Sequence, residues 1–393
     1  MTDLLTWLRV IPRERLRWRK KSVQSSKTVR VFYGYDSLPT SEDVASGGIV
    51  KTQDLQKKFP NTPDSPNILY LISSALPSYA PRMAQWAKQA GAKVVLNQNG
   101  VAYPAWHGAG WETTNKFMRE VLQYADYVFY QSNFCKLGAD RFLGLREFDY
   151  EILYNPVDTH FFSPAKSFSP LSSFRLLLAG SHHHFYRVRS AVDTVKILLD
   201  SGQKVRLEIA GRCCWDTQEI SPEQELKDYI RGHSLAHAVT LSGPYTQKEA
   251  PELFRCAHLL LHTKYNDPCP RLVVEAMASG LPVVYSASGG VPELVGKEAG
   301  VGVPAILDWA QDHPPAPDVL ADGVQTILAS YQHYSQAARN RAVEKFDRVP
   351  WIQKHQDVFS RLISGEAFQR VRKKQTAPKK TVFKDGVNYT HAT

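Results

Sequence analysis

The sequence predicts an α/β protein of two parallel-sheet domains, and three observations carry that reading. Short, near-continuous apolar runs alternate with amphipathic stretches, the pattern of parallel strands buried on both faces by helices. A Ser/Pro-rich break at 163–173 interrupts the alternation, which then restarts. A chain of 393 residues is also too long for one ordinary core.

Taken in order, 28–34 is a first strand, followed by a loop carrying Gly47 and Gly48 and a helix over 49–58. Apolar runs at 67–72, 93–96 and 127–130 are further strands, with helical stretches at 80–90 and 112–124 between them. After the break, 175–179, 206–210, 239–241, 258–262 and 282–285 read as strands, and 190–199 and 222–231 as helices. Residues 336–363, with Phe346, Trp351 and Phe359, form one or two amphipathic helices. The two similar halves, 28–165 and 174–340, read as Rossmann-like domains facing across a cleft.

Composition narrows the function. Hydrophobic content of 43% and charged content of 22% are those of a globular protein. No apolar run is long enough for a membrane-spanning helix, and the first 22 residues predict no signal peptide. Five cysteines without paired CxxC units suit a reducing cytoplasm. The net charge of +10 would suggest nucleic acid, but it lies in two tails. Residues 1–22 and 366–393 each hold seven Lys/Arg against two acids, so the body is balanced and specific nucleic-acid binding is not expected. The basic extension 1–27 mixes Leu4, Leu5, Trp7, Leu8 and Trp18 with arginines. It suits peripheral contact with an anionic membrane surface, and a frayed, solvated terminus is the plainer alternative. The basic tail 365–393 has a disordered composition.

The stretch richest in chemistry runs from Asp267 through Pro268, Cys269, Pro270 and Arg271 to Glu275, then past Gly280 to Gly289, Gly290 and Glu293. It sets two acids eight residues apart, one in a loop and one in a helix, before a strand and a second, glycine-opened helix. In a parallel sheet that order brings helix N-termini to the edge where anions bind. Gly180, after a strand, precedes a helix start carrying Arg187 and Arg189, and a guanidinium suits phosphate. Solvated first-turn arginines are the plainer alternative. His182, His183 and His184 are consecutive and cannot converge on one ion, so metal binding is the weaker reading.

The acid-x7-Glu spacing, continued by Ala276-Met-Ala and closed by Gly289-Gly-Val-Pro-Glu, resembles the C-terminal motif of the retaining GT-B glycosyltransferases of family 4 (glycosyl transferases group 1). The resemblance covers 28–364 and is strongest from 174 to 296. It implies a GT-B fold in which a last helix, 341–364, crosses back onto the first domain. It also implies transfer of a hexose from a UDP- or GDP-linked sugar to a glycan or glycolipid hydroxyl, in cell-surface polysaccharide or lipid-linked glycan synthesis.

The family's site residues carry over by position. Asp267 would contact the donor sugar and Glu275 the ribose. Gly180, Arg187 and Arg189 would meet the diphosphate, with Arg271 a further candidate. Pro268 and Pro270 have no N–H, which leaves the amides of Cys269, Arg271 and Leu272 as donors in this loop. Gly48, Gly289 and Gly290 would approach the diphosphate or ribose, and Glu293 has a minor place. Asn99, with His107 behind it, would face the reacting sugar, and Asn155 either forms the domain edge or makes a turn. No Asp-x-Asp motif occurs, so cations and helix N-termini are expected in place of a metal, and no cofactor is implied. Two alternatives stay open: a degenerate GT-B protein that binds nucleotide sugar without catalysis, and a basic nucleic-acid-binding module. The strand-to-helix turn after Gly34 lacks the glycine fingerprint of a dinucleotide oxidoreductase.

Overall fold

The computed structural model of the protein describes residues 4–18, 28–39, 47–147, 149–165, 173–366 and 368. Most of the Ser/Pro break, and all but residues 365, 366 and 368 of the tail expected to be disordered, lie outside the described residues.

The first domain holds a five-stranded parallel sheet in chain order: β1 (Val31–Phe32), β2 (Ile68–Ile72), β3 (Lys93–Gln98), β4 (Tyr127–Tyr130) and β5 (Tyr150–Ile152). Its helices are α1 (Leu4–Arg17), α2 (Gly47–Gln56), α3 (Ala80–Gln89), α4 (Pro104–His107), α5 (Trp111–Tyr124) and α6 (Asn133–Phe142). Side chains alternate between two cores, as strand geometry requires. Leu69, Leu71, Val94 and Leu96 face one core, while Ile68, Tyr70, Ile72 and Phe129 face the other.

The second domain contains β6 (Phe174–Leu178), β7 (Ser181–His182), β8 (Val205–Ala210), β9 (Arg212–Cys213), β10 (Val239–Gly243), β11 (Leu259–His262), β12 (Val283–Ser286) and β13 (Gly300–Val303). Between and after them run α7 (Phe185–Asp200), α8 (Pro222–Gly232), α9 (Ala250–Arg255), α10 (Arg271–Ala278), α11 (Val291–Val295), α12 (Pro317–Ala329), α13 (Tyr331–Phe346) and α14 (Arg348–Ser364). The main sheet is parallel with order β10-β8-β6-β11-β12-β13, and β7 pairs with β9 separately. This doubly wound order reverses between the neighbours β6 and β11, so a crevice opens beyond their carboxyl ends.

Three features join the domains. Helix α14 buries Trp351, Val358, Phe359 and Leu362 in the first sheet's second core. Trp309, from the loop before α12, stacks on Phe134 at 5.0 Å and meets Tyr103 edge-on at 4.8 Å, while its carbonyl accepts the Ala105 N–H. Glu293 accepts hydrogen bonds from the backbone N–H groups of Asn133 and Phe134, at the start of α6.

Sequence and structure differ in places. The last helical region divides at Asp347, whose side chain accepts the Val349 N–H and caps α14, so the crossing helix begins at Arg348 rather than 341. Helix α7 begins at Phe185, five residues before the expected start. Within the basic extension, the end of α1 is docked rather than frayed. Arg17 is buried against Glu14 and Asp36, donates to the Pro63 carbonyl at 2.7 Å, and lies over Phe32 at 4.0 Å.

Candidate active site

The crevice at the switch point is the place where the predicted residues gather. Gly180 leaves β6 with φ +103°, a conformation suited to glycine. Gly211 lies so close that a Cβ on it would sit 1.8 Å from the Gly180 carbonyl oxygen. Two cavities open here, of about 510 Å³ and 610 Å³, and both are lined by Gly180, Ser181 and Arg271. Asp267, Asn99, Gly48 and Arg187 line the smaller cavity, and Glu275 the larger.

Asp267 is buried beside two cations, Lys264 and Arg187, and the His262 imidazole. Lys264 Nζ and His262 Nε2 each lie 3.3 Å from its Oδ2. Burial pushes its pKa up, but Lys264, His262 and Arg187 outweigh that and hold the carboxyl well below its usual range. Arg187 is itself buried at the start of α7, where it donates to the Ser181 carbonyl. Burial lowers its pKa, and Asp267 works against that shift. Lys264 also lies 4.6 Å from the ring of Trp106, which roofs the cavity against His183.

Glu275 sits one helical turn after Arg271, whose Nε donates to it at 2.7 Å. The other side of the guanidinium reaches across the cleft to Asp54 of α2 at 2.8 Å. Asp54 also faces Arg348, which in turn pairs with Asp158 at 2.9 Å. Burial raises the Glu275 pKa, Arg271 lowers it, and Asp54 adds to the rise. The net shift is upward.

The proline-bracketed loop is held by the first domain. Ser132 Oγ donates to the Pro268 carbonyl at 2.7 Å, and Asn155 Nδ2 to that of Cys269 at 2.6 Å. The Pro268 ring packs on Gly100, where a Cβ would lie 3.0 Å away. Rings replace amides as the contact here, and the loop is fixed by its carbonyls. Cys269 is buried and its thiol pKa is pushed up by burial, so it packs rather than reacts. Leu272 lines the smaller cavity in the first turn of α10.

Several predicted residues stand elsewhere. Arg189 is 62% exposed and faces Asp193 at 3.6 Å, one turn along its own helix, away from both cavities. Gly289 and Gly290 seat the Asp267 loop instead of lining a cavity. The Gly290 N–H donates to the Asp267 carbonyl at 2.9 Å, and a Cβ on Gly290 would lie 2.0 Å from the Pro268 carbonyl oxygen. Glu293 caps α6 of the opposite domain and is also reached by Tyr154 at 3.2 Å. His107 lines the smaller cavity and pairs with Thr114 at 2.9 Å. Of the histidine tract, His182 is buried with its pKa pushed down to about 3 by desolvation, and His183 alone lines the cavity. No group of three or more His, Cys, Asp or Glu able to hold a metal occurs among the described residues.

Sequence reasoning missed Lys51, Lys264, Asp54 and Arg348. Two had a usable signal. Lys51 falls in the first turn after Gly48, and Lys264 is three residues before Asp267.

Comparison with known proteins agrees with this fold. Over 101 residues, 25% of this chain, the protein is 30% identical to mannosylfructose-phosphate synthase of Agrobacterium fabrum, matching 22% of that relative. Over 244 residues it is 20% identical to the phosphatidylinositol N-acetylglucosaminyltransferase gpi3 subunit of Schizosaccharomyces pombe, 62% of this chain and 50% of the relative. The chain thus spans at most half the length of these relatives. Among solved structures, Anabaena Alr3699/HepE in complex with UDP superposes with a TM-score of 0.60 at 19% identity, covering 75% of this chain and 79% of that one. A glycosyltransferase from Rickettsia africae gives 0.61 at 14% identity, covering 91% and 96%. The protein has the fold of the GT-B glycosyltransferases, and its residues 163–344 match the family Glycosyl transferases group 1.

Proposed function

We propose that the protein is a retaining, metal-independent glycosyltransferase. In this reading it moves a hexose from a UDP- or GDP-linked sugar to a glycan or glycolipid hydroxyl, in cell-surface polysaccharide or lipid-linked glycan synthesis. The observation that carries the proposal is the pair of cavities meeting at Gly180, Ser181 and Arg271, with Asp267 in one and Glu275 in the other. A nucleoside fits the Glu275 side, its ribose hydroxyls donating to the carboxylate. A sugar fits the Asp267 side, and the diphosphate lies at the junction between them. UDP and UDP-glucose bound to the Anabaena relative support a nucleotide-sugar donor.

In the proposed reaction the anomeric C–O bond breaks and its electron pair leaves with the diphosphate. The acceptor oxygen attacks from the same face, and its proton passes to the departing phosphate oxygen. Arg187 and Lys264 line the cavity and supply positive charge held in place before the reaction, which stabilises developing anions. Turnover is expected to persist in EDTA. A thermal-shift panel of UDP, GDP, ADP and their sugars tests the donor assignment, since native-state binding raises the melting temperature. At least one nucleotide should do so, and no shift with any of them would remove the reading.

The reading includes work on the cytoplasmic face of a membrane, with α1 against anionic lipid. Its end is anchored through Arg17 and Trp18, while Arg15 and Leu16 remain exposed. No helix among the described residues is long and apolar enough to cross a membrane. Flotation with anionic liposomes should retain full-length protein and lose it when residues 1–18 are deleted.

A further inference from the structure

We propose that Lys51 supplies the departing diphosphate with a cation from the first domain, completing the leaving-group site only when the two domains face each other. The inference rests on the donor-site reading above and adds a residue that no motif marks.

Lys51 lies on α2, three residues after Gly48, and is 2% exposed. It lines the smaller cavity together with Gly48, Asn99 and Arg187. The other cations of that cavity face carboxylates. Arg187 and Lys264 answer Asp267, and Arg271 answers Asp54 and Glu275. Among the described residues Lys51 forms no ion pair. Its hydrogen-bond partner is Asn97 Oδ1 at 3.4 Å, which already accepts from Gln131 Nε2 at 2.6 Å. The acid on its own helix, Asp54, is turned to Arg271 and Arg348 instead.

The groups facing Lys51 from the surrounding elements leave its charge uncompensated. They are the thiols of Cys135 on α6 and Cys269 in the Asp267 loop, Arg271 on α10, and His355 on α14, with the Tyr70 hydroxyl beyond Asn97. A buried ammonium with no counter-charge is costly to keep. Burial lowers its pKa to about 7, with smaller opposing contributions from the two thiols. The amine is therefore poised to gain a proton when an anion arrives. Lys51 and Arg271 line the smaller cavity together, and Arg271 also lines the larger one, so the amine stands on the side of the junction that the two cavities share. A donor whose nucleoside and sugar fill the two cavities must lay its diphosphate there.

In the reaction Lys51 forms no covalent bond. Its ammonium donates hydrogen bonds to the phosphate oxygen that receives the electron pair of the breaking anomeric C–O bond. The proton of the acceptor hydroxyl goes to that phosphate.

Calorimetric titration of the full-length protein with UDP and with GDP at pH 8, in two buffers of different ionisation heat, tests this. Free phosphate is already ionised at that pH, so an arriving proton must be taken up by the complex. Wild type is expected to take up close to ~1 proton on binding. Lys51→Met should take up fewer, bind nucleotide at least tenfold more weakly, and melt at or above the wild-type temperature because a buried, poorly hydrogen-bonded amine is gone. No uptake by wild type, or unchanged uptake and affinity in Lys51→Met, would overturn the assignment while leaving the donor site standing. A lower melting temperature with unchanged affinity would make Lys51 a structural residue and likewise overturn it. If neither nucleotide binds wild type, the donor-site reading fails and the Lys51 role with it.

Discussion

Asp267 and Glu275 carry the same charge, but their surroundings assign them different work. Asp267 is encircled by Lys264, His262 and Arg187 and stays ionised far into the acid range. Glu275 has a raised pKa and a single cationic partner, Arg271, which Asp54 shares. Glu275→Ala should therefore abolish the nucleotide-induced rise in melting temperature. Asp267→Ala should keep most of that rise and lose on the order of a hundredfold in turnover, the scale of a lost electrostatic contact to the transition state. Equal turnover in wild type and both variants would show that the site lies elsewhere. The two acids were legible because an eight-residue spacing joins a loop to a helix at the binding edge of a parallel sheet. Lys51 and Lys264 left only a positional trace beside Gly48 and Asp267, since a single lysine in a helix or loop looks solvated until the opposite domain closes over it. Arg189 misled for the converse reason: a helix start that faces the cavity with one arginine turns the other, two residues on, to solvent.

At the scale of elements, the N-terminus of α6 is completed by the other domain. Ser132 accepts the Cys135 N–H, and Glu293 takes those of Asn133 and Phe134. The carboxylate also complements the helix dipole, so Glu293→Ala should lower stability by ~1–2 kcal/mol, read by urea unfolding. Glu293→Gln should recover part of that loss. Helix α6 and strands β5 and β13 escaped the sequence reading. Strand β5 has three residues and β13 reads Gly-Val-Gly-Val, so neither offers the long apolar run that marks β2 or β11. Gly300 is nevertheless required, because a Cβ there would lie 2.0 Å from the Val283 carbonyl oxygen of the neighbouring strand. The long strands and the helices over 80–89, 111–124 and 222–232 were legible, since each has enough residues for its period to show.

Across the whole molecule, α14 ties the end of the chain to its beginning through His355. The imidazole Nδ1–H donates to the Trp351 carbonyl at 2.9 Å, which leaves Nε2 to accept from the Tyr70 hydroxyl, also at 2.9 Å. Protonation would break that second bond inside an apolar core. Burial pushes the pKa from 6.5 down to about 3. An unfolded chain would then bind a proton that the folded one refuses, so the native state loses stability as pH falls from 6.5 towards 3. His355→Gln should flatten the fall of melting temperature between pH 6.5 and 4.5, the arm above the range where carboxylates titrate. An identical slope in wild type and variant would remove His355 as a cause.

Helix α14 also bears on how the protein is made. The first sheet emerges from the ribosome early, but Phe59, Tyr70 and Phe129 on its second face are covered by Trp351 and Phe359, more than two hundred residues later. Until α14 is synthesised, that half of the molecule displays an open aromatic surface, the kind that nascent chains hand to chaperones. The Ser/Pro break thus marks a boundary in the sequence that is not a boundary of autonomous folding. A fragment ending at 165 would be a domain missing its wall.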